Sequence, residues 1–162
     1  MELPTIENVV RVIFPLTMIR EGELLPAAFK LREQDSGPES YLSVFRQFSE
    51  CFISDINSFD RGRNLPCCIM NVGEINKINL TVDGNAVLYI TKAVPTSLYK
   101  SHAGIFITIG GLDLKGCGEV IFDALNIGEE ASFHLLAIRR RLVDIAKKRI
   151  TVVNELCKKS EE

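Results

Sequence analysis

Apolar residues recur along this chain in two rhythms. Val9-Val10-Arg11-Val12-Ile13-Phe14 is short and β-branched and closes on Pro15, which has no amide to give to a ladder, so it predicts a strand. After the charged stretch from Arg20 to Glu23, Phe29 and Leu31 alternate with Lys30 and Arg32, the period of a half-buried strand over 27–32. Turn residues Gln34 to Pro38 follow, and Tyr41 to Phe45 reads as a second strand, placed to pair antiparallel with the one before it. The rhythm then slows. Phe48, Phe52, Ile56 and Phe59 are spaced by four, four and three residues, which predicts an amphipathic helix ended by Arg61-Gly62-Arg63.

Beyond Pro66, the nearly unbroken apolar run Cys67 to Val72 fits a strand covered on both faces. Ile78, Leu80 and Val82 alternate with polar residues, and Asp83-Gly84-Asn85 joins them to Ala86 to Ile90 as a hairpin. Ile105 to Ile109 predicts a last strand, followed by the glycines at 110, 111, 116 and 118. Asn126-Ile127-Gly128-Glu129 has the spacing of a capping box. From there Leu135, Ile138, Leu142, Ile145 and Ala146 form a stripe that continues through Ile150, Val153 and Leu156, predicting one long amphipathic helix over 126–160. The β-branched run Ile150 to Val153 is the place where that helix would divide.

These elements predict an α+β fold: a mostly antiparallel sheet of about five to six strands, packed by a short central helix and a long C-terminal amphipathic helix. A length of 162 residues suits one domain over 1–162, with an α+β body over 1–125 and a helical segment over 126–160 as part of it. Hydrophobic residues at 46% and charged residues at 25% leave no tract that must stay unfolded. Charge divides along the same boundary. From Ser132 onward eight Lys and Arg stand against four acids, so of the net −2 the first 131 residues carry −6.

That balance disfavours coating of nucleic acid, which rests on neutralising many phosphates, although the basic tail keeps phosphate contact in view. No stretch approaches a membrane span, and the N-terminus Met1-Glu2-Leu3-Pro4 has acid and proline where a secretory leader has lysine and an apolar run. Five cysteines, an odd number with three inside apolar runs, point to a reducing compartment and a cytoplasmic location.

Candidate chemistry is sparse. His102 lies in the polar loop Tyr99 to Gly104 that feeds a strand, where an imidazole serves as acid or base, or fixes the turn by bonding a carbonyl. Cys117, between Gly116 and Gly118, is the one cysteine in loop-like surroundings and pairs with His102 in a conceivable nucleophile set. Lys115, Gly116 and Gly118 suit an anion cradle, but no Gly-Lys-Ser/Thr follows and Ile121 sits where a dinucleotide fingerprint wants glycine. Arg20, Arg32 and Arg46, in or beside the N-terminal strands, could together hold a carboxylate or phosphate by bidentate contacts, with ordinary surface charge the favoured explanation. No metal-ligand spacing occurs, and nothing in the sequence calls for a cofactor.

Ala28-Phe29, Leu42-Ser43-Val44-Phe45-Arg46 and Ser101-His102-Ala103-Gly104-Ile105, in that order, resemble short bacterial proteins of unassigned function. The resemblance covers about the first two thirds of the chain. It implies interest in Ser43, Arg46 and His102 without giving them roles.

Two readings follow. The leading one, motivated by the incomplete catalytic set, is a non-enzymatic binding or accessory module. It would associate with a protein partner or a second copy through the C-terminal helix, with Arg139, Arg140, Leu142, Ile145, Ile150 and Val153 at the interface. The alternative is a small enzyme or nucleotide-handling domain with His102 as acid or base, Arg46 and Ser43 binding, and the loop at Lys115, Gly116 and Gly118 beside them. A pocket shared by His102, Arg46 and that loop would separate the two.

Overall fold

The computed structural model describes residues 2–13, 19–29, 42–82, 85–93, 99–109, 112–113 and 139–161. In chain order its elements are β1 (Asn8–Val12), β2 (Ile19–Arg20), β3 (Glu23–Leu24), a 3-10 turn (Pro26–Phe29), β4 (Leu42–Arg46) and α1 (Phe52–Asp60). Then come β5 (Pro66–Asn71), α2 (Val72–Asn76), β6 (Asn79–Val82), β7 (Asn85–Ala93), β8 (His102–Ile109) and β9 (Leu112–Asp113). The described chain ends with helix α3 over 139–146, β10 (Ile150–Val152) and α4 (Val153–Glu161).

The fold is α+β. Among the described residues one sheet of eight strands runs in the order β10-β5-β1-β4-β8-β7-β6, with β9 beside β8, and every pairing is antiparallel. The count exceeds the five or six expected because β9 and β10, of two and three residues, are too short to show a period in sequence. β6 and β7 pair antiparallel as expected, ending at Val82↔Asn85, and the turn residues Asp83 and Gly84 lie outside the described residues. β2 and β3 form a separate small hairpin in which Glu21 (φ 54°) and Gly22 (φ 81°) both take the left-handed conformation a two-residue turn requires.

The sheet is packed on both faces. Side chains alternate, so Val9, Leu42, Val44, Cys68, Met70 and Ile105 go to one cluster while Val10, Phe45 and Cys67 go to the other. On the first face lie Phe29 of the 3-10 turn, Ile75 of α2, and Leu142 and Ala146 of α3. On the second lie Phe52 and Ile56 of α1, and Val153 and Leu156 of α4.

Two sequence expectations are corrected. Ala27 to Phe29 belong to the 3-10 turn and not to a strand over 27–32, and β4 pairs with β1 and β8 instead. The physical reason is Arg11. Its Nε and Nη2 both donate to the Ala28 carbonyl at 2.9 and 2.8 Å, Nη1 donates to the Ser43 carbonyl at 2.8 Å, and the guanidinium lies 5.6 Å from the Phe29 ring centre. That clamp folds Ala28 and Phe29 inward together, where a strand would alternate them.

The long helix over 126–160 is not continuous either. It stops at Ala146, and the Lys147 to Arg149 turn leads into β10, which pairs with β5 at Thr151↔Cys67 before α4 begins. β-branched Ile150, Thr151 and Val152 fit a pleated edge better than a helix interior. The apolar stripe therefore serves two cores: Leu142 and Ala146 cover one face of the sheet, Val153 and Leu156 the other. The capping box at Asn126 lies outside the described residues.

Candidate functional site

His102 opens β8 opposite Phe45 of β4 and is only 8% exposed. Its ring meets that of Phe45 edge to face at 6.0 Å, and Phe45 meets Tyr99 and Phe59 in the same manner at 5.6 Å each. The turn that delivers it is fixed by Asp55 of α1, a buried carboxylate that accepts from the Ser101 amide at 2.8 Å and the Ser101 hydroxyl at 2.6 Å. The His102 amide donates to the Tyr99 carbonyl at 3.3 Å. His102 is thus set in an aromatic wall between α1 and the sheet.

Arg46 is turned elsewhere. Val9↔Arg46 and Phe45↔His102 are neighbouring register pairs, so alternation puts the two side chains on opposite faces of the sheet. Arg46 makes a two-pronged contact with Glu7, Nε to Oε2 at 3.2 Å and Nη2 to Oε1 at 2.7 Å, and both side chains are largely covered. Ser43 shares the face of His102, half-buried, with its carbonyl held by Arg11. The structure therefore does not bring His102 and Arg46 into one pocket. Lys115, Gly116, Cys117 and Gly118 lie outside the described residues.

The C-terminal segment divides differently from its expected interface. Leu142 and Val153 are fully buried, so they are core residues and offer no contact surface. Arg139 and Ile145 are half-buried, Arg140 is exposed, and Ile150 on β10 is 38% exposed. Ile150 borders a cleft of about 240 Å³ whose other walls are Gln47, Ile69, Arg149, Thr151 and Leu156. Arg149 crosses β5 to donate from Nη2 to Asn8 Oδ1 at 3.3 Å, and Phe48, 59% exposed, stands next to Gln47. This cleft combines an apolar floor, a guanidinium, an amide and a hydroxyl at the margin of the sheet.

A second, wider cleft of about 440 Å³ lies between α2 and α3, lined by Glu74, Lys77, Ile78, Arg141, Asp144 and Ile145. Lys148 pairs with Glu74 at 3.7 Å and Lys147 with Asp144 at 3.1 Å. Exposed pairs of this kind contribute little, and the mixed signs select no particular ligand charge.

Among the described residues no group of three His, Cys, Asp or Glu side chains could hold a metal ion, and no helix is long and apolar enough to cross a membrane. Burial, with smaller contributions from Cys68, Cys157 and Asp60, pushes the Cys67 thiol from 9.0 up to about 12. Burial likewise raises Cys68 to about 11, against the pull of the Arg11 cation. Neither thiol is a nucleophile near neutral pH. A thiol titration with a disulfide reagent at pH 8 is expected to modify the half-buried Cys51 and Cys157 while Cys67 and Cys68 react only once urea unfolds the chain. Because the unfolded chain sheds these protons first, the stability they allow is intact below about pH 9 and falls as pH rises towards 11 and 12.

Sheet and covering helices define a class: an α+β protein with an antiparallel sheet packed on both faces and β10 outermost among the described residues. The chain matches no protein-family profile, no curated protein and no solved structure.

Proposed function

We propose that this protein is a non-enzymatic binding module that acts by protein–protein association through its C-terminal segment. The observation that carries this reading is the position of β10. The segment that covers both cores also presents, on its outer side, the exposed Ile150 and the cleft beside it. Interfaces take apolar contacts with cationic and polar rims, and the exposed Ile150, next to the exposed Arg149 and the half-buried Thr151, offers that composition. The segregation of His102 from Arg46 supports the same reading, since it removes the juxtaposition an acid–base site with a bound anion would use. The reading carries with it one domain over 1–162 and a cytoplasmic location, in keeping with two buried free thiols used as small hydrophobes.

Site-specific photo-crosslinking in cells tests it. A benzophenone side chain at Ile150 is expected to give one or a few discrete adducts, while the same group at Ser58, on the exposed side of α1, gives none. Equal patterns from the two positions would overturn the assignment of this segment as the association element.

A further inference from the structure

β10 is the outermost strand on its side of the sheet, and among the described residues only β5 pairs with it. The Ile69 amide donates to the Arg149 carbonyl and the Val153 amide to the Leu65 carbonyl, each at 3.0 Å, with Thr151↔Cys67 midway between. Antiparallel pairing alternates inward and outward groups, so the Arg149 carbonyl, the Thr151 main chain and the Val153 amide face β5 while the main-chain groups of Ile150 and Val152 point away from the sheet. The Val152 carbonyl begins the α4 ladder. That leaves the N–H and C=O of Ile150 and the N–H of Val152 as a short template for one more strand.

Charge selects what that strand carries. Between 139 and 153 six cations (Arg139, Arg140, Arg141, Lys147, Lys148, Arg149) accompany one acid, Asp144. Lys147, Lys148 and Arg149 lead directly into β10 and all three are exposed. The ion pairs of Lys147 and Lys148 are exposed and weak, so a partner's carboxylates can replace them at little cost. A second copy paired edge to edge would bring both sets of these cations to one seam, which disfavours it.

We propose, resting on the association reading above, that β10 receives an extended acidic segment of a partner protein by strand addition. The carboxylates of that segment meet Lys147, Lys148 and Arg149. Main-chain bonds supply the alignment, and the cations supply the selection.

The test uses the full chain and a fluorescein-labelled peptide of alternating Glu and Val or Leu, followed by anisotropy. Saturable binding is expected. It should weaken at least about tenfold when the central peptide residues are N-methylated, and about tenfold in a Lys147→Glu/Arg149→Glu variant whose circular dichroism is unchanged. Equal binding of the N-methylated peptide would overturn strand addition and leave only a charge contact. No binding, alongside discrete adducts from position 150, would overturn the acidic occupant and make the lysines guards of the edge, leaving the association reading in place. A concentration-dependent dimer in sedimentation, abolished by Ile150→Asp, would show that the occupant is a second copy. Absence of both adducts and peptide binding would remove the association reading itself.

Discussion

Asp55→Ala is expected to destabilise the fold by about 3–5 kcal/mol, seen as a lower urea midpoint at unchanged slope, because it removes two hydrogen bonds to a charged acceptor and strands their donors. Ser101 is fully buried, and both its amide and its hydroxyl end on Asp55 Oδ2. Without the carboxylate, water does not reach the amide to replace it. Ser101→Ala should cost less, about 1–2 kcal/mol, since the carboxylate keeps its amide partner and only the hydroxyl bond is lost. The order of the two variants matters more than either value. If Ser101→Ala were the more damaging, the hydroxyl would have a partner that outweighs Asp55. Against a total stability of about 5–15 kcal/mol, Asp55→Ala is among the most severe single changes the chain can undergo. Its effect should spread to the start of β8, where Arg46 donates its amide to the Ser101 carbonyl at 2.7 Å and His102 enters the aromatic cluster.

Asp55 also shows where sequence reading stops. It occupies the polar side of the helix periodicity over 48–59, and periodicity treats every such residue as solvent-facing. Its partner lies 46 residues away in a loop, and nothing local records that. Arg11 is a similar case. It reads as the polar break within an apolar strand, whereas the structure spends its donors on the 3-10 turn and β4. The strands β1, β4, β5, β7 and β8 and helix α1 were legible because each repeats its period for several residues. Helix α2 was missed although its signal was present, for Asn71 and Glu74 have capping-box spacing and the Asn71 side chain accepts the Glu74 amide at 3.1 Å. The division of the C-terminal stripe was visible as the β-branched run at Ile150, but the choice between helix and edge strand depended on β5 having a free side, which is a tertiary fact. Of the candidate site, the C-terminal segment and Ile150 were named from sequence. Gln47, Ile69 and Thr151 were not, because they come together only when the sheet sets β10, β5, β1 and β4 in that order.

Removing everything from Asn126 onward is expected to abolish cooperative unfolding altogether, so that fragment 1–125 shows neither a sigmoidal urea transition nor near-ultraviolet dichroism. A continuous terminal helix lying on one face would be an appendage, and its loss would leave the other face packed. The segment instead reaches both. Leu142 and Ala146 are fully buried on one side of the sheet, Val153 is fully buried and Leu156 nearly so on the other, and β10 shields the edge of β5. Deleting it uncovers part of both cores at once, and the turn, α1 and α2 that remain do not extend over the surface Leu142, Ala146, Val153 and Leu156 cover. Single variants separate the two contributions. Leu142→Ala and Leu156→Ala should each cost about 2–5 kcal/mol. In methyl spectra the first should shift Ile75 and Ile105 and the second Ile56 and Val153, with their costs adding because the two clusters share no side chain. A fragment 1–125 that still unfolds cooperatively would refute this, and the C-terminal segment would then be free to act as a detachable arm. If the fragment collapses, association through β10 cannot be probed by truncation, and only surface changes such as Ile150→Asp separate binding from folding.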